Sequence, residues 1–142
     1  MPPTCPTLRQ VVLDATDVRA LAEFYRELLG LSYRPGDEAP ADGEPDLEWL
    51  VLADAAGNAQ LAFQQVAALP EATWPEGPRP QMLHLDLVVP TPAELDAQHE
   101  RAVALGARLL RDRSTDPDEP LRVYADSAGH PFCVFVATPE AG

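Results

Sequence analysis

Apolar and polar positions along this chain follow a pattern that runs through once and then repeats. The β-branched and aliphatic residues of Leu8–Asp14 predict a buried strand. Asp17 then offers the short acceptor side chain that caps the first amides of a helix. Apolar residues follow at helical spacing as far as Gly30, a residue type that closes helices in the left-handed conformation. The pattern predicts a strand followed by an amphipathic helix.

The remainder of this first block predicts three further strands. They are expected at Leu31–Arg34, Leu47–Ala53 and Gln60–Val66. The last two are joined by the turn Asp54–Asn58, in which Gly57 can adopt a positive φ. The predicted order is therefore β-α-β-β-β.

The second block predicts the same order. Met82–Val89 is expected to form a strand, and Thr91 with Glu94 makes a capping box with proline at the first helical position. The remaining strands are expected at Ala107–Leu110, Leu121–Ala125 and Phe132–Ala137. The linker at residues 67–81 is rich in proline and contains Trp74, and we expect it to be extended.

The two blocks share landmarks at nearly constant spacing. The turn Asp54–Asn58 recurs as Asp126–His130, and Gln10–Asp14 is echoed by His84–Val88. Landmarks repeated in one order predict two tandem copies of one module, at about 8–66 and 82–137. A module of about 60 residues would be marginally stable alone. We therefore expect a single α+β domain over residues 1–142, with a ligand site between the copies.

Charge and composition narrow the classes of partner. The net charge of −13 comes from 23 acidic and 10 basic residues, which disfavours binding to nucleic acid or to an anionic membrane surface. No apolar run approaches the roughly 20 residues that span a bilayer. The N-terminal residues lack the pattern of a signal peptide, so we expect a cytoplasmic protein. Cys5 and Cys133 lie far apart, which argues against a disulfide framework.

Several of these motifs together resemble a known group of proteins. The tandem βαβββ modules, the first helix ending in Phe24-Tyr25-x-x-Leu28-Leu29-Gly30 and the Asp-x-x-Gly turn before each last strand are similar to the vicinal oxygen chelate superfamily. This superfamily comprises glyoxalases, bleomycin-resistance proteins and extradiol dioxygenases, and the likeness to small bacterial glyoxalase-like proteins extends from Leu8 to Ala137. The resemblance implies a curved mixed sheet around a central cleft, a small-molecule ligand and a homodimer. One such scaffold hosts many chemistries.

The resemblance also implies where a metal would bind. Members that hold a metal take one ligand from the first and one from the last strand of each module, and these positions fall on Gln10, Leu61, His84 and Cys133. Leucine has no donor atom, and a neutral amide is a poor ligand for zinc. We therefore expect no metal and no cofactor. Cys133 is interpreted as a cavity-wall or core residue, and a reactive thiol would need a lowered pKa beside a base.

Strand alternation selects the candidate site residues. His84 and Asp86 share one face of their strand, and Gln10 and Asp14 share the matching face in module one. His84 is a candidate catalytic base oriented by Asp86, and a hydrogen-bonded polar patch is the alternative. The full set predicted to bind ligand is Gln10, Asp14, Leu61, Phe63, His84, Asp86, Arg122, Tyr124, Cys133 and Phe135.

Two classes of function remain open at this point. The first is a protein that binds a small organic molecule in the inter-module cleft without a catalytic metal, similar to drug-sequestering resistance proteins. The second is a lyase, isomerase or dioxygenase-like enzyme that uses a metal or His84 as a base. The absent carboxylates at the ligand positions favour the first class.

Overall fold

A computed structural model describes residues 5–137 and divides the chain into two compact units, with the boundary between Ala68 and Leu69. Each unit contains one helix and four strands in the order β-α-β-β-β. The predicted α+β class, with two tandem modules of this order, is therefore confirmed. Within residues 5–137, no helix is long and apolar enough to cross a membrane.

Unit one is built on a mixed four-stranded sheet. Its elements are β1 (Val11–Ala15), α1 (Val18–Leu29), β2 (Ser32–Tyr33), β3 (Trp49–Ala53) and β4 (Ala59–Gln65). The strand order is β1-β4-β3-β2, in which β1 and β4 are parallel and the other pairs are antiparallel. The first and last strands of the module are thus neighbours.

Helix α1 begins and ends where the sequence predicts. The Asp17 carboxylate accepts a hydrogen bond from the Ala20 amide at 3.1 Å, and Gly30 closes the helix with a φ of 68°. The buried face of the helix comprises Val18, Leu21, Ala22, Phe24, Tyr25 and Leu28. It covers one face of the sheet, where the ring of Tyr25 stacks on that of Phe63 at 6.1 Å. This contact is part of the core of unit one.

Unit two repeats the topology. Its elements are β5 (Leu85–Val89), α2 (Pro92–Ala104), β6 (Arg108–Arg113), β7 (Leu121–Ala125) and β8 (Pro131–Val136). The strand order is β5-β8-β7-β6, again with a parallel pair between the first and last strands. Thr91 caps α2 by accepting a hydrogen bond from the Glu94 amide at 3.1 Å, as the capping box predicts.

The helix-covered face of this second sheet is more polar than that of the first. Arg122 is buried under α2, where it donates to the Leu95 carbonyl at 3.3 Å and to the Asp96 carboxylate at 3.0 Å. The hydroxyl of Tyr124 lies 2.8 Å from Nδ1 of His99 on the same helix. Arg122 and Tyr124 therefore face the helix and do not line a cleft on the opposite face of the sheet, which corrects their predicted place at the ligand.

A β-bulge changes the equivalence of the two modules. In unit one Leu52 pairs with Leu61 and Ala53 pairs with Ala59, so Gln60 is one extra residue in β4. The corresponding hairpin of unit two is regular, with Tyr124 opposite Phe132. Residues of β4 after Gln60 are therefore matched to the wrong residues of β8, by one position, when both strands are numbered from their turn glycines.

The strand pairing gives the corrected equivalence. Val51 pairs with Ala62 in unit one just as Val123 pairs with Cys133 in unit two. Ala62 is therefore the counterpart of Cys133, and the equivalence of Leu61 with Cys133 predicted from turn spacing is wrong. Alanine, like leucine, lacks a donor atom, so module one still offers no ligand from its last strand.

The same one-residue shift moves two predicted cleft residues to the other face. Phe63 is fully buried and stacks on Tyr25 of the helix, and Leu61 lies two positions earlier on the same face. The exposed face carries Gln64 instead. Leu61 and Phe63 are thus core residues of unit one.

Phe63→Ala is expected to lower the free energy of unfolding by about 3–5 kcal/mol, because it removes a fully buried ring from the core. Gln64→Ala is the matched control on the exposed face of the same strand, with an expected change within about 0.5 kcal/mol. Urea denaturation followed by circular dichroism measures both. Near-wild-type stability of Phe63→Ala would contradict its assignment to the core.

Candidate functional site

His84 is held at both ring nitrogens within unit two. Its Nδ1 lies 2.9 Å from Oε1 of Gln81, and its Nε2 lies 3.0 Å from Oδ1 of Asp86. Asp86 follows two positions later on the same face, which is why the pair can meet. An imidazole with an orienting carboxylate is an arrangement suited to accepting or donating a proton.

Trp74 covers the ring of His84. The two rings stack with their centroids 5.1 Å apart and an interplanar angle of 16°. The segment that carries Trp74 is a closed loop, in which the Thr73 amide donates to the Arg79 carbonyl at 2.7 Å and Arg79 Nε donates to the Glu71 carbonyl at 2.8 Å. These hydrogen bonds bend residues 73–79 back on themselves, so the predicted extended linker is wrong in this part.

Cys133 lies beside the His84–Asp86 pair. It is the direct partner of Asp86 across the parallel strands β5 and β8, so the two side chains share one face. Burial, with a smaller contribution from the Asp86 charge, raises the pKa of the Cys133 thiol to about 11. A thiol in this state is a poor nucleophile at neutral pH, which disfavours the interpretation of Cys133 as a reactive cysteine.

A cavity of about 260 Å³ opens on this face of unit two. This volume is slightly below the range of about 300–1,000 Å³ that drug-sized ligands occupy, so the cavity suits a smaller molecule. Apolar and charged side chains share the lining, which comprises Trp74, Pro75, His84, Arg111, Arg113, Glu119, Leu121, Val123, Cys133 and Phe135.

The structure brings together part of the predicted set. His84, Cys133 and Phe135 line the cavity, and Asp86 contacts His84. On strand β7 the cavity is lined by Leu121 and Val123, whereas the sequence predicted the adjacent residues Arg122 and Tyr124. Burial raises the pKa of Tyr124 to about 12, which keeps its hydroxyl protonated at neutral pH.

In unit one, Gln10 and Asp14 are half-buried and flank the exposed Val12. Their role at an inter-module cleft remains a prediction.

Sequence reasoning missed seven of the ten lining residues, and of these Trp74, Arg111 and Arg113 bear most on the chemistry of the cavity. The two arginines alternate on β6, where Arg111 pairs with Glu76 at 3.4 Å and Arg113 with Asp116 at 3.0 Å. The signals were present in the sequence. They are a tryptophan within a proline-rich segment and two bases spaced for one strand face in a chain with few bases.

The donor atoms of unit two fit a metal better than the sequence predicts. One ligand atom from each of His84, Asp86 and Cys133 can be chosen so that all lie within 4.8 Å of one another. Donor atoms around a tetrahedral zinc ion are about 3.3–3.8 Å apart. Modest side-chain movements would therefore bring the three ligand atoms within bonding distance of one ion. Asp86 supplies the carboxylate that the four superfamily positions lack. A metal bound there would act as a Lewis acid toward an oxygen of a ligand.

Comparison with known proteins agrees with this fold. A family model described as a glyoxalase-like domain matches residues 10–135. The chain therefore belongs to the glyoxalase-like domain family and, with it, to the vicinal oxygen chelate superfamily. A search of curated proteins finds no match to this chain.

Solved structures share the fold at low sequence identity. A glyoxalase/bleomycin resistance protein/dioxygenase family enzyme from Burkholderia phytofirmans PsJN is 18% identical with a TM-score of 0.66, covering 92% of this chain and 98% of its own. The fosfomycin resistance protein FosX from Listeria monocytogenes is 17% identical with a TM-score of 0.67, covering 96% and 98%. A glyoxalase-related enzyme from Fulvimarina pelagi is 23% identical with a TM-score of 0.63, covering 94% and 89%.

Iodoacetamide at pH 8 is expected to alkylate Cys5 of the folded, chelator-treated protein and to leave Cys133 unmodified. Cys5 is exposed, whereas Cys133 is buried with a pKa raised to about 11. At three pH units below that pKa, roughly one Cys133 thiol in a thousand is ionised, and the thiolate is the reactive form. Peptide mass spectrometry measures both sites, and denatured protein, in which both react, is the control. Equal rates in the folded protein would contradict the assignment.

Proposed function

We propose that this protein binds a small organic molecule in the cavity of unit two, beside His84. The observation that supports this most strongly is the Trp74–His84 stack, a flat aromatic surface in a cavity whose lining also contains Phe135 and Leu121. Few polar groups among apolar and aromatic walls are typical of small-molecule sites. This role is that of a glyoxalase- and bleomycin-resistance-like binding protein.

The cavity supports a particular chemistry of ligand. Burying an apolar surface against these walls contributes roughly 25 cal/mol per Å², and this gain is partly offset by the lost freedom of the ligand. Arg111 pairs with the exposed Glu76 and Arg113 with the half-buried Asp116, and ion pairs near the surface contribute little to stability. An acidic group on the ligand can therefore replace one of those partners. We infer a small molecule with a flat or apolar body and an anionic group.

The proposal includes two features inferred from the sequence. Gln10 and Asp14 of module one would complete the site if the modules pair around a common cleft, and the active form would be a homodimer. We further propose one functional domain over residues 1–142, because a module of about 60 residues would be marginally stable alone. Nucleic acid and membrane surfaces are not proposed as partners, since the net charge is −13.

A thermal-shift screen in the presence of EDTA tests this function. We expect small aromatic carboxylates to raise the melting temperature more than their methyl esters do. His84→Ala and Arg111→Ala should reduce that shift, because each removes a lining group. His130→Ala and Arg101→Ala change the same residue types outside the cavity lining and should leave the shift intact. Equal shifts in all four variants would locate the ligand elsewhere.

An enzyme is the second candidate function. The specific observation in its favour is the contact of His84 Nε2 with Asp86 Oδ1 at 3.0 Å beside the cavity, an imidazole–carboxylate pair suited to holding and transferring a proton. A FosX variant from Listeria monocytogenes with the same fold is known in complex with Mn(II) and a dihydroxypropylphosphonic acid. The reaction would then be of the lyase, isomerase or dioxygenase type.

Mass spectrometry of the ligands recovered from the screen separates the two candidates. An enzyme of this kind should convert a bound compound, and His84→Gln should slow the conversion at least about 100-fold, because proton transfer by a positioned base contributes 10²–10⁴-fold. His130→Gln is the matched control. A compound that binds through His84 and is recovered unchanged, with and without added divalent metal, would support the binding protein.

A further inference from the structure

We propose that His84, Asp86 and Cys133 form a site for a thiophilic divalent cation such as Zn²⁺, contained entirely within unit two. The site goes beyond the proposed ligand binding and does not depend on it. It also departs from the superfamily arrangement, which takes ligands from both modules. No donor from unit one is required.

Strand pairing places the three donors on one face. Asp86 and Cys133 are direct partners across the parallel strands β5 and β8. His84 lies two positions before Asp86 and therefore points to the same side. A nitrogen, an oxygen and a sulfur atom from these residues lie within 4.8 Å of one another. The backbone of β5 and β8 thus places Asp86 beside Cys133 before any metal binds, and His84 directly precedes β5.

The hydrogen bonds around His84 favour a cation. Nδ1 faces Oε1 of Gln81 at 2.9 Å, and an amide oxygen can only accept, so Nδ1 carries the proton. In the neutral ring Nε2 then bears a lone pair, which faces the Asp86 carboxylate oxygen at 3.0 Å. Two acceptors at this distance repel each other unless a proton or a metal cation lies between them. Gln81 therefore acts as the outer partner that orients a metal-binding imidazole.

Charge and softness select the kind of ion. A thiolate, a carboxylate and a neutral imidazole carry two negative charges, which match a divalent cation. Cys133 is 3% exposed, and a buried thiolate is stable only with a cation beside it. Thiolate and imidazole favour Zn²⁺ or Co²⁺, whereas Mg²⁺ and Ca²⁺ prefer oxygen ligands. Because His84 and Cys133 both line the cavity, a fourth position would be accessible to water or ligand.

Cobalt spectroscopy on the full-length, chelator-treated protein tests the site with metal alone. Wild type should bind one Co²⁺ per chain, with a sulfur-to-cobalt charge-transfer band in the near ultraviolet, and Zn²⁺ should displace it. Cys133→Ser should abolish the band. Cys5→Ser is the matched control and should retain both the band and the stoichiometry, because Cys5 lies in unit one.

Titration calorimetry with Zn²⁺ assigns the other donors. His84→Ala and Asp86→Asn should each weaken binding at least tenfold, whereas His130→Ala should not. Gln10→Ala tests whether the site is confined to unit two, and unchanged affinity is the expected result. Circular dichroism verifies folding, and Cys133→Ala replaces Cys133→Ser if the serine variant is unfolded. The absence of a charge-transfer band, its loss in Cys5→Ser, or a tenfold loss in Gln10→Ala would overturn the proposal.

Discussion

The parallel pairing of the first and last strands in each unit is the constraint on which the site depends. In unit two it places β5 beside β8, so that residues almost 50 positions apart become direct neighbours, as Asp86 and Cys133 are. A hairpin could not achieve this, because parallel strands need a long crossover connection. Helix α2 and the strands β6 and β7 provide that connection. The chemistry of the site is therefore set by register, and the rest of the module serves to hold that register.

The two units use one topology with different interiors. Beneath α1, unit one buries an apolar core that includes Tyr25 and Phe63. Beneath α2, unit two buries Arg122, whose carboxylate partners Asp96 and Asp112 are exposed, and Tyr124, which contacts His99. A buried guanidinium that loses its carboxylate partners is left without compensation, so this interior is less tolerant of substitution than an apolar one. Unit two thus carries its polar residues on both faces of the sheet.

Periodicity was sufficient to predict the elements and the duplication, because a buried sheet face and a helix stripe each impose a regular spacing on the sequence. The helix caps at Asp17 and Thr91 were predictable for the same local reason. Side-chain facing in β4 was not, because a bulge depends on how two strands pair and leaves no periodic mark. The stack of Trp74 on His84 was also beyond sequence reasoning, since it depends on tertiary hydrogen bonds between Thr73 and Arg79.

The bulge at Gln60 changes how the two modules should be aligned. Because the bulge absorbs one extra residue in β4, the residues that follow keep the pairing and the facing of their counterparts in β8. The turns Asp54–Asn58 and Asp126–His130 align without a gap, but the strands after them align only when one residue of β4 is skipped. An extra residue accommodated in this way leaves the fold intact and shifts the motifs of one copy against the other, so an ungapped comparison assigns the wrong partners.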